Sequence, residues 1–308
     1  MQVGTALDNQ GERAYCDPSY REESKVSSHR FLQVLAGFCL VVTFVEHNAV
    51  GSVGAGPGGT TIVEKHRGFD TCQNISTSTM SAGYSGTAYS VVGFYLGGEL
   101  IDLACPSHAG FHTTAWINTI YAQGWNFQPI WDGKQSPCIT SSFPHSTNSA
   151  VAYTQGVDQA NAASVAAVAR GFSNGTILTM DLEGPISPGC AYAGATKEYV
   201  RGWTSQLQAY FWLSGVYSGT CFFNSLATIS PPPNEISIAE YNGSANMGIY
   251  QVNGCLASAY WTLDQRSHQY LGPHYEAWGG TTVQVDTSCY VERVAGSNAH
   301  STYVPCLS

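Results

Sequence analysis

Thr176-Ile177-Leu178-Thr179-Met180-Asp181-Leu182-Glu183 decides how this chain is read. It is an apolar run that ends in two acids, spaced two residues apart. A strand alternates its side chains between faces, so Asp181 and Glu183 point the same way, roughly 6.5–7 Å apart along the strand. Seven other short runs share this β character: Arg67–Cys72, Ser90–Gly97, Trp125–Trp131, Gly215–Ser218, Glu235–Tyr241, Ser267–Leu271 and Val283–Asp286. Several are nearly continuous in apolar residues, as expected of strands covered on both faces of a parallel sheet. Between the runs, the Ala-rich segment Gln155–Gly171, ended by a glycine, and Thr196–Leu213 read as helices. Eight strands alternating with helices over about 250 residues predict a single α/β domain, a (β/α)8 TIM-type barrel of parallel strands. The rival, a doubly wound open sheet, would carry a Gly-rich phosphate turn. Gly51–Gly59 follows no strand and lacks the dinucleotide-binding spacing.

Active sites of such barrels gather at the carboxyl ends of the strands, so acids that end apolar runs come first. Asp70 ends the first run, Asp181 and Glu183 the fourth, and Asp286 the eighth. The first and eighth strands of a closed barrel are neighbours, which predicts Asp70 beside Asp286 at the same rim. Any one such acid is more often a loop or helix cap than a catalyst. Four on one rim, with almost no cation near them in sequence, favour a functional cluster. Like charges so crowded cannot all ionise, so at least one acid, Glu183 first among them, is expected to hold a proton near neutral pH. A protonated acid beside an ionised one is the equipment of glycosidic bond cleavage. Sugars also stack on aromatic rings, and Tyr95, Trp131, Tyr217, Tyr241 and Tyr270 stand at or beside strand ends. Each alone is more often packing than platform. Glu240 and Gln269, next to them, are candidate partners for sugar hydroxyls or an N-acetyl carbonyl.

The segments GFDTC (68–72), VVGFYLGG (91–98), GWNFQPIW (124–131), ILTMDLEG (177–184), SGVYS (214–218), SIAEYNG (237–243) and HQYLGPHYEAWGGTTVQVD (268–286) occur in this order. Together they resemble the glycoside-hydrolase-like domain family DUF1906, over roughly residues 66–290. That family is similar to the lysozymes of glycoside hydrolase family 25, (β/α)8 barrels that cut bacterial cell-wall glycan. The resemblance implies that Glu183 matches the general acid. It also implies that Asp181 matches the carboxylate that stabilises the transition state or orients the substrate N-acetyl group, with Asp70 and Asp286 as supporting acids. A peptidoglycan-type polysaccharide is then the expected substrate. The alternatives are a barrel that binds glycan without turnover, or a structural surface protein whose acids only cap loops.

Charged residues are 11% of the 308, against about 25% in an average soluble protein. The net charge is −9 with no basic run, which disfavours a nucleic-acid partner. Phe31–Val45 is apolar and follows Lys25, His29 and Arg30. At 15 residues it falls short of the roughly 20 that span a bilayer and fits a secretion signal better. The expected organisation is an N-terminal, disordered extension (1–30), a signal peptide or signal anchor (31–50), a Gly-rich linker (51–60) and the barrel (61–308). The protein is then secreted or extracytoplasmic, or anchored to a membrane through residues 31–45. Removing Cys16 and Cys39 with the signal leaves Cys72, Cys105, Cys138, Cys190, Cys221, Cys255, Cys289 and Cys306. An even set without CxxC pairs points to disulfides in an oxidising compartment, with the pairing open. The nine histidines are scattered, His268 and His274 included, without metal-ligand spacing, so neither a metal nor a cofactor is implied. The sequence carries no signal of oligomeric state.

Overall fold

The computed structural model describes residues 56–105, 112–184, 186–187, 189–245, 255–257, 259–262, 264–300 and 306. The expected N-terminal extension, the signal segment and the first half of the linker lie outside these residues. The chain order is β1 (Thr61–Glu64), β2 (Arg67–Asp70), α1 (Thr77–Gly86), β3 (Tyr89–Gly97), α2 (Ile101–Ala104), α3 (Thr114–Ala122), β4 (Asn126–Trp131), α4 (Ser149–Val168), β5 (Ile177–Asp181), α5 (Ala193–Ala209), β6 (Leu213–Gly219), α6 (Phe223–Leu226), β7 (Glu235–Ala239), β8 (Arg266–Trp278) and β9 (Thr281–Ala295). All eight apolar runs of the sequence are strands, and both expected helices form.

Strands β2 to β8 pair successively in parallel. β9 closes the barrel by pairing antiparallel with both β8 and β2. The fold is thus the expected closed eight-stranded TIM-type barrel, with one difference: its last strand runs against the other seven. The reason is local. β8 runs straight into β9 through Gly279-Gly280, both at positive φ (55° and 82°), with Trp278 opposite Thr281. That is a two-residue hairpin turn, so no crossover helix intervenes to bring the chain back to a parallel start. β1 lies outside the closed ring, antiparallel on β9.

Alternation along the strands sorts side chains into two sets. Phe69, Val92, Phe94, Phe127, Leu178, Met180, Val216 and Ile236 join the apolar layer with Met80 of α1, Ile117 and Ile120 of α3, the alanines of α4, and Tyr199 and Trp203 of α5. Residues of the opposite parity point into the barrel. The helices begin at defined caps: Ser76 Oγ accepts from Thr79 N–H, Thr113 Oγ1 from Trp116 N–H, and Asn148 Oδ1 from Ala150 and Val151 N–H.

All eight cysteines from Cys72 onward are paired: Cys72–Cys105, Cys138–Cys190, Cys221–Cys255 and Cys289–Cys306. The first three each join the segments that follow two successive barrel strands, β2 with β3, β4 with β5, and β6 with β7. They therefore staple the rim at the carboxyl ends of the strands. Cys138–Cys190 closes a span of 52 residues, for which loop-closure entropy gives a stabilisation of about 4 kcal/mol. Replacing both cysteines by serine should lower the unfolding free energy by roughly 2–4 kcal/mol in denaturant titration. An unchanged midpoint would show that the staple carries no stability.

Candidate active site

Asp70, Asp181, Glu183 and Asp286 line one cavity of about 180 Å³ at the carboxyl end of the parallel strands. Asp70 and Asp181 are the last residues of β2 and β5, and Glu183 follows two residues later. Asp286 reaches the rim from mid-strand. Because β9 is antiparallel, its register sets Asp286 directly opposite Asp70. The sequence placed these two acids side by side by counting strands around a parallel barrel, whereas the contact comes from an antiparallel pair. Gly93 of β3 pairs with Asp70, and a β-carbon there would lie 2.6 Å from the Asp70 Cβ. Glycine at this position is what leaves Asp70 room to face the cavity.

Hydrogen bonds hold the acids from several elements. Gln269 of β8 donates Nε2–H to Asp70 Oδ2 at 2.7 Å, and the Tyr217 hydroxyl donates to Gln269 Oε1 at 2.7 Å. A phenol has one proton, so the Tyr241 hydroxyl, 3.0 Å away, donates to Tyr217. Tyr95 donates to Asp181 Oδ2 at 3.4 Å, while Asp181 Oδ1 and Asp286 Oδ1 are enclosed and have no hydrogen-bond partner among the described residues. Unpaired carboxylate oxygens facing a cavity are acceptor sites open to a ligand.

A fifth acid belongs to the group. Asp132, buried directly after β4, accepts from Gln135 Nε2–H at 3.0 Å. The same Gln135 amide donates to the Asp181 carbonyl at 2.9 Å, and its Oε1 accepts the Glu183 N–H at 2.8 Å. Gln135 thus fastens the turn that carries Glu183. The rule that singled out the other acids, a polar residue ending an apolar run, applies equally to Trp131-Asp132 and would have found it.

Among the described residues, no lysine or arginine lines the cavity. Burial first, then the charge of Asp286 and Glu183, holds the Asp70 carboxyl well above the usual carboxylate range, against the Gln269 hydrogen bond. Burial and the charges of Glu183, Asp132 and Asp70 do the same to Asp181. Asp132 is pushed up to about 7 by burial and Glu183, and Asp286 to about 6 by burial, with His274 opposing. Glu183 stands at the mouth, its surface open to solvent, and partial desolvation still raises its carboxyl pKa while the Gly184 N–H opposes. The group therefore retains protons at neutral pH and can both give and accept them.

Tyr95, Tyr217, Tyr241 and Gln269 line the cavity with the acids. Trp131, Glu240 and Tyr270 do not, and parity explains all three. Each is one residue from an inward position and faces the other way. Trp131 packs in the outer apolar layer and donates its indole N–H to Gln159 of α4 at 2.7 Å. Glu240 accepts from Thr220 Oγ1 at 3.0 Å, and Tyr270 is buried against Cys289 and Cys306. Sequence reasoning missed Gln128, Ile130, Thr179, Ser237, Pro273 and Ser288 of the lining.

A carboxyl group whose folded pKa is raised binds more protons folded than unfolded. Its stabilising contribution is full below the unfolded value near 4 and is lost as pH rises through the folded value. Asp286→Asn should therefore match the parent near pH 4 and exceed it by about 1–2 kcal/mol at pH 8, with solvent screening reducing the full shift. Urea unfolding at the two pH values measures this, and a difference of the opposite sign at pH 8 refutes the crowding described above.

Among solved structures, the chain is similar to an uncharacterized protein of B. stearothermophilus, with 16% identity over 73% of this chain and 95% of that one, at a TM-score of 0.48. It is also similar to GHIP, a glycosyl hydrolase 25 of Streptococcus pneumoniae, with 12% identity, 74% and 87% coverage and a TM-score of 0.43. It is similar, too, to a sugar phosphate isomerase/epimerase from Parabacteroides distasonis, with 12% identity, 71% and 75% coverage and a TM-score of 0.42. No curated protein sequence matches the chain. Its sequence does match a family description, the Rv2525c-like, glycoside hydrolase-like domain, over residues 83–290, and this interval holds three of the four predicted acids, Asp181, Glu183 and Asp286. With two thirds of its length matched, the chain belongs to that family, DUF1906, and carries its glycoside hydrolase-like barrel.

Proposed function

We propose that the protein is an extracytoplasmic glycoside hydrolase acting on β-linked, N-acetylated glycan of the peptidoglycan type. The observation that carries this reading is the meeting of Asp70, Asp181, Glu183 and Asp286 in one cavity that no lysine or arginine of the described residues lines. Glu183, at the mouth and with a raised pKa, donates its proton to the glycosidic oxygen as the bond from that oxygen to the anomeric carbon breaks. The crowded acids share their protons, and in the state where Glu183 holds one and Asp181 is ionised, the unpaired Asp181 oxygen faces the positive charge that develops on the sugar ring and stabilises it, or accepts the acetamide N–H of the substrate. A water adds to the anomeric carbon, and its proton restores the acid. Asp70 and Asp286 hold the charge of the pocket, and Tyr95, Tyr217, Tyr241 and Gln269 supply ring faces and hydroxyl contacts.

The four disulfides support an oxidising compartment, consistent with export directed by residues 31–50. No helix among the described residues is long and apolar enough to cross a membrane.

Digestion of purified cell-wall glycan, followed by mass analysis of the fragments, tests the reading. The parent should release fragments, and Glu183→Gln should lower turnover by about 10²–10⁴-fold while still binding the polymer. Binding by both proteins without any product would select a glycan-binding barrel instead.

A further inference from the structure

The barrel carries a second polar cluster at its opposite, amino-terminal end. Glu64 ends β1, His66 immediately precedes β2, and His300 follows β9, 236 residues after Glu64. One ligating atom from each, a carboxylate oxygen and two imidazole nitrogens, lies within 4.8 Å of the other two. All three side chains are shielded from solvent, none more than 9% exposed.

The hydrogen-bond inventory of this cluster is unbalanced. His66 turns Nδ1 to Glu64 Oε1, and His300 turns Nδ1 to Glu64 Oε2 at 3.0 Å. His300 Nε2 faces the Gly124 carbonyl at 2.9 Å, an atom that can only accept. Nε2 must therefore carry the ring proton, and in the neutral ring Nδ1 presents its lone pair to a carboxylate oxygen. That contact is repulsive unless a positive charge, either a second proton or a metal cation, stands between the two atoms. A ring nitrogen held by a backbone carbonyl, with the other aimed at the centre, is the usual support of a metal-binding histidine. Glu64 Oε2 is oriented in turn by Asn126 Nδ2–H at 2.8 Å. A cavity of about 160 Å³, lined in part by His66 and His300, adjoins the cluster.

We propose that Glu64, His66 and His300 form a binding site for a divalent transition-metal cation, zinc by donor preference, that clasps the first strand and the segment after β9 to the amino end of the barrel. One carboxylate and two imidazoles with a water make a four-coordinate zinc set. The clasp has a mechanical logic. Among the described strands β1 pairs only with β9, and the His300 segment is held beside the end of α3 and the start of β4 by Asn298, which donates to the Tyr121 and Trp125 carbonyls. A shared cation would join the two.

The test uses the full, untagged chain, stripped by a chelator and titrated with zinc sulfate by calorimetry. One tight site per chain and a raised melting temperature are expected. His300→Ala should weaken zinc at least about 100-fold and abolish the thermal shift, whereas Asp181→Asn, in the distant cavity, should leave both unchanged. Absence of tight binding by the folded parent means that a proton alone bridges the cluster, and the proposal fails. Loss of binding in Asp181→Asn but not in His300→Ala places the ion in the acid cavity and overturns it equally. Anomalous diffraction at the zinc edge from parent crystals needs no variant. It should locate the ion between the three side chains, and an ion elsewhere or none overturns the proposal.

Discussion

Carboxyl groups gathered in one cavity of the barrel, with no lysine or arginine of the described residues lining it, are the constraint on which the rest of this structure depends. Each costs free energy when ionised in partial isolation from water, and each raises the cost for its neighbours. The surrounding elements are arranged to tolerate that. Gly93 concedes the space for Asp70, Gln269 and Tyr95 lend hydrogen bonds to Asp70 and Asp181, and Gln135 fixes the turn that presents Glu183. The remaining discomfort appears as protons retained at neutral pH, which is the property an acid catalyst needs.

The barrel supplies the apolar frame that keeps these groups apart from the helices. Inward residues are polar near the rim, and outward residues form the layer against α1, α3, α4 and α5. A one-residue change of parity separates the two worlds, as Ile130 in the cavity and Trp131 in the outer layer illustrate. The rim is consequently well defined even though its acids repel one another.

Much of this was legible in the sequence. Continuous apolar runs marked all the barrel strands, and acids at their ends marked the cavity, because strand termini and their polar residues are local properties. Strand direction was not legible by the same rule. Val283–Asp286 looks like any other buried run, and only the Gly279-Gly280 turn, a hairpin signal in its own right, announces that it returns antiparallel. Trp131, Glu240 and Tyr270 were singled out by nearness to a strand end, which ignores the face each occupies. Of the Glu64–His66–His300 cluster only Glu64-Lys65-His66 is local in sequence; His300 comes from the far end of the barrel sequence and joins them only when β9 lies beside β1.

The cysteine pairing has an evolutionary consequence. Each of three cross-links unites only two adjacent loops, and none runs to a third. Insertions or exchanges on one such doublet leave the anchorage of the others intact, so a lineage can remodel the loops of the rim in independent sectors while the strands beneath stay the same.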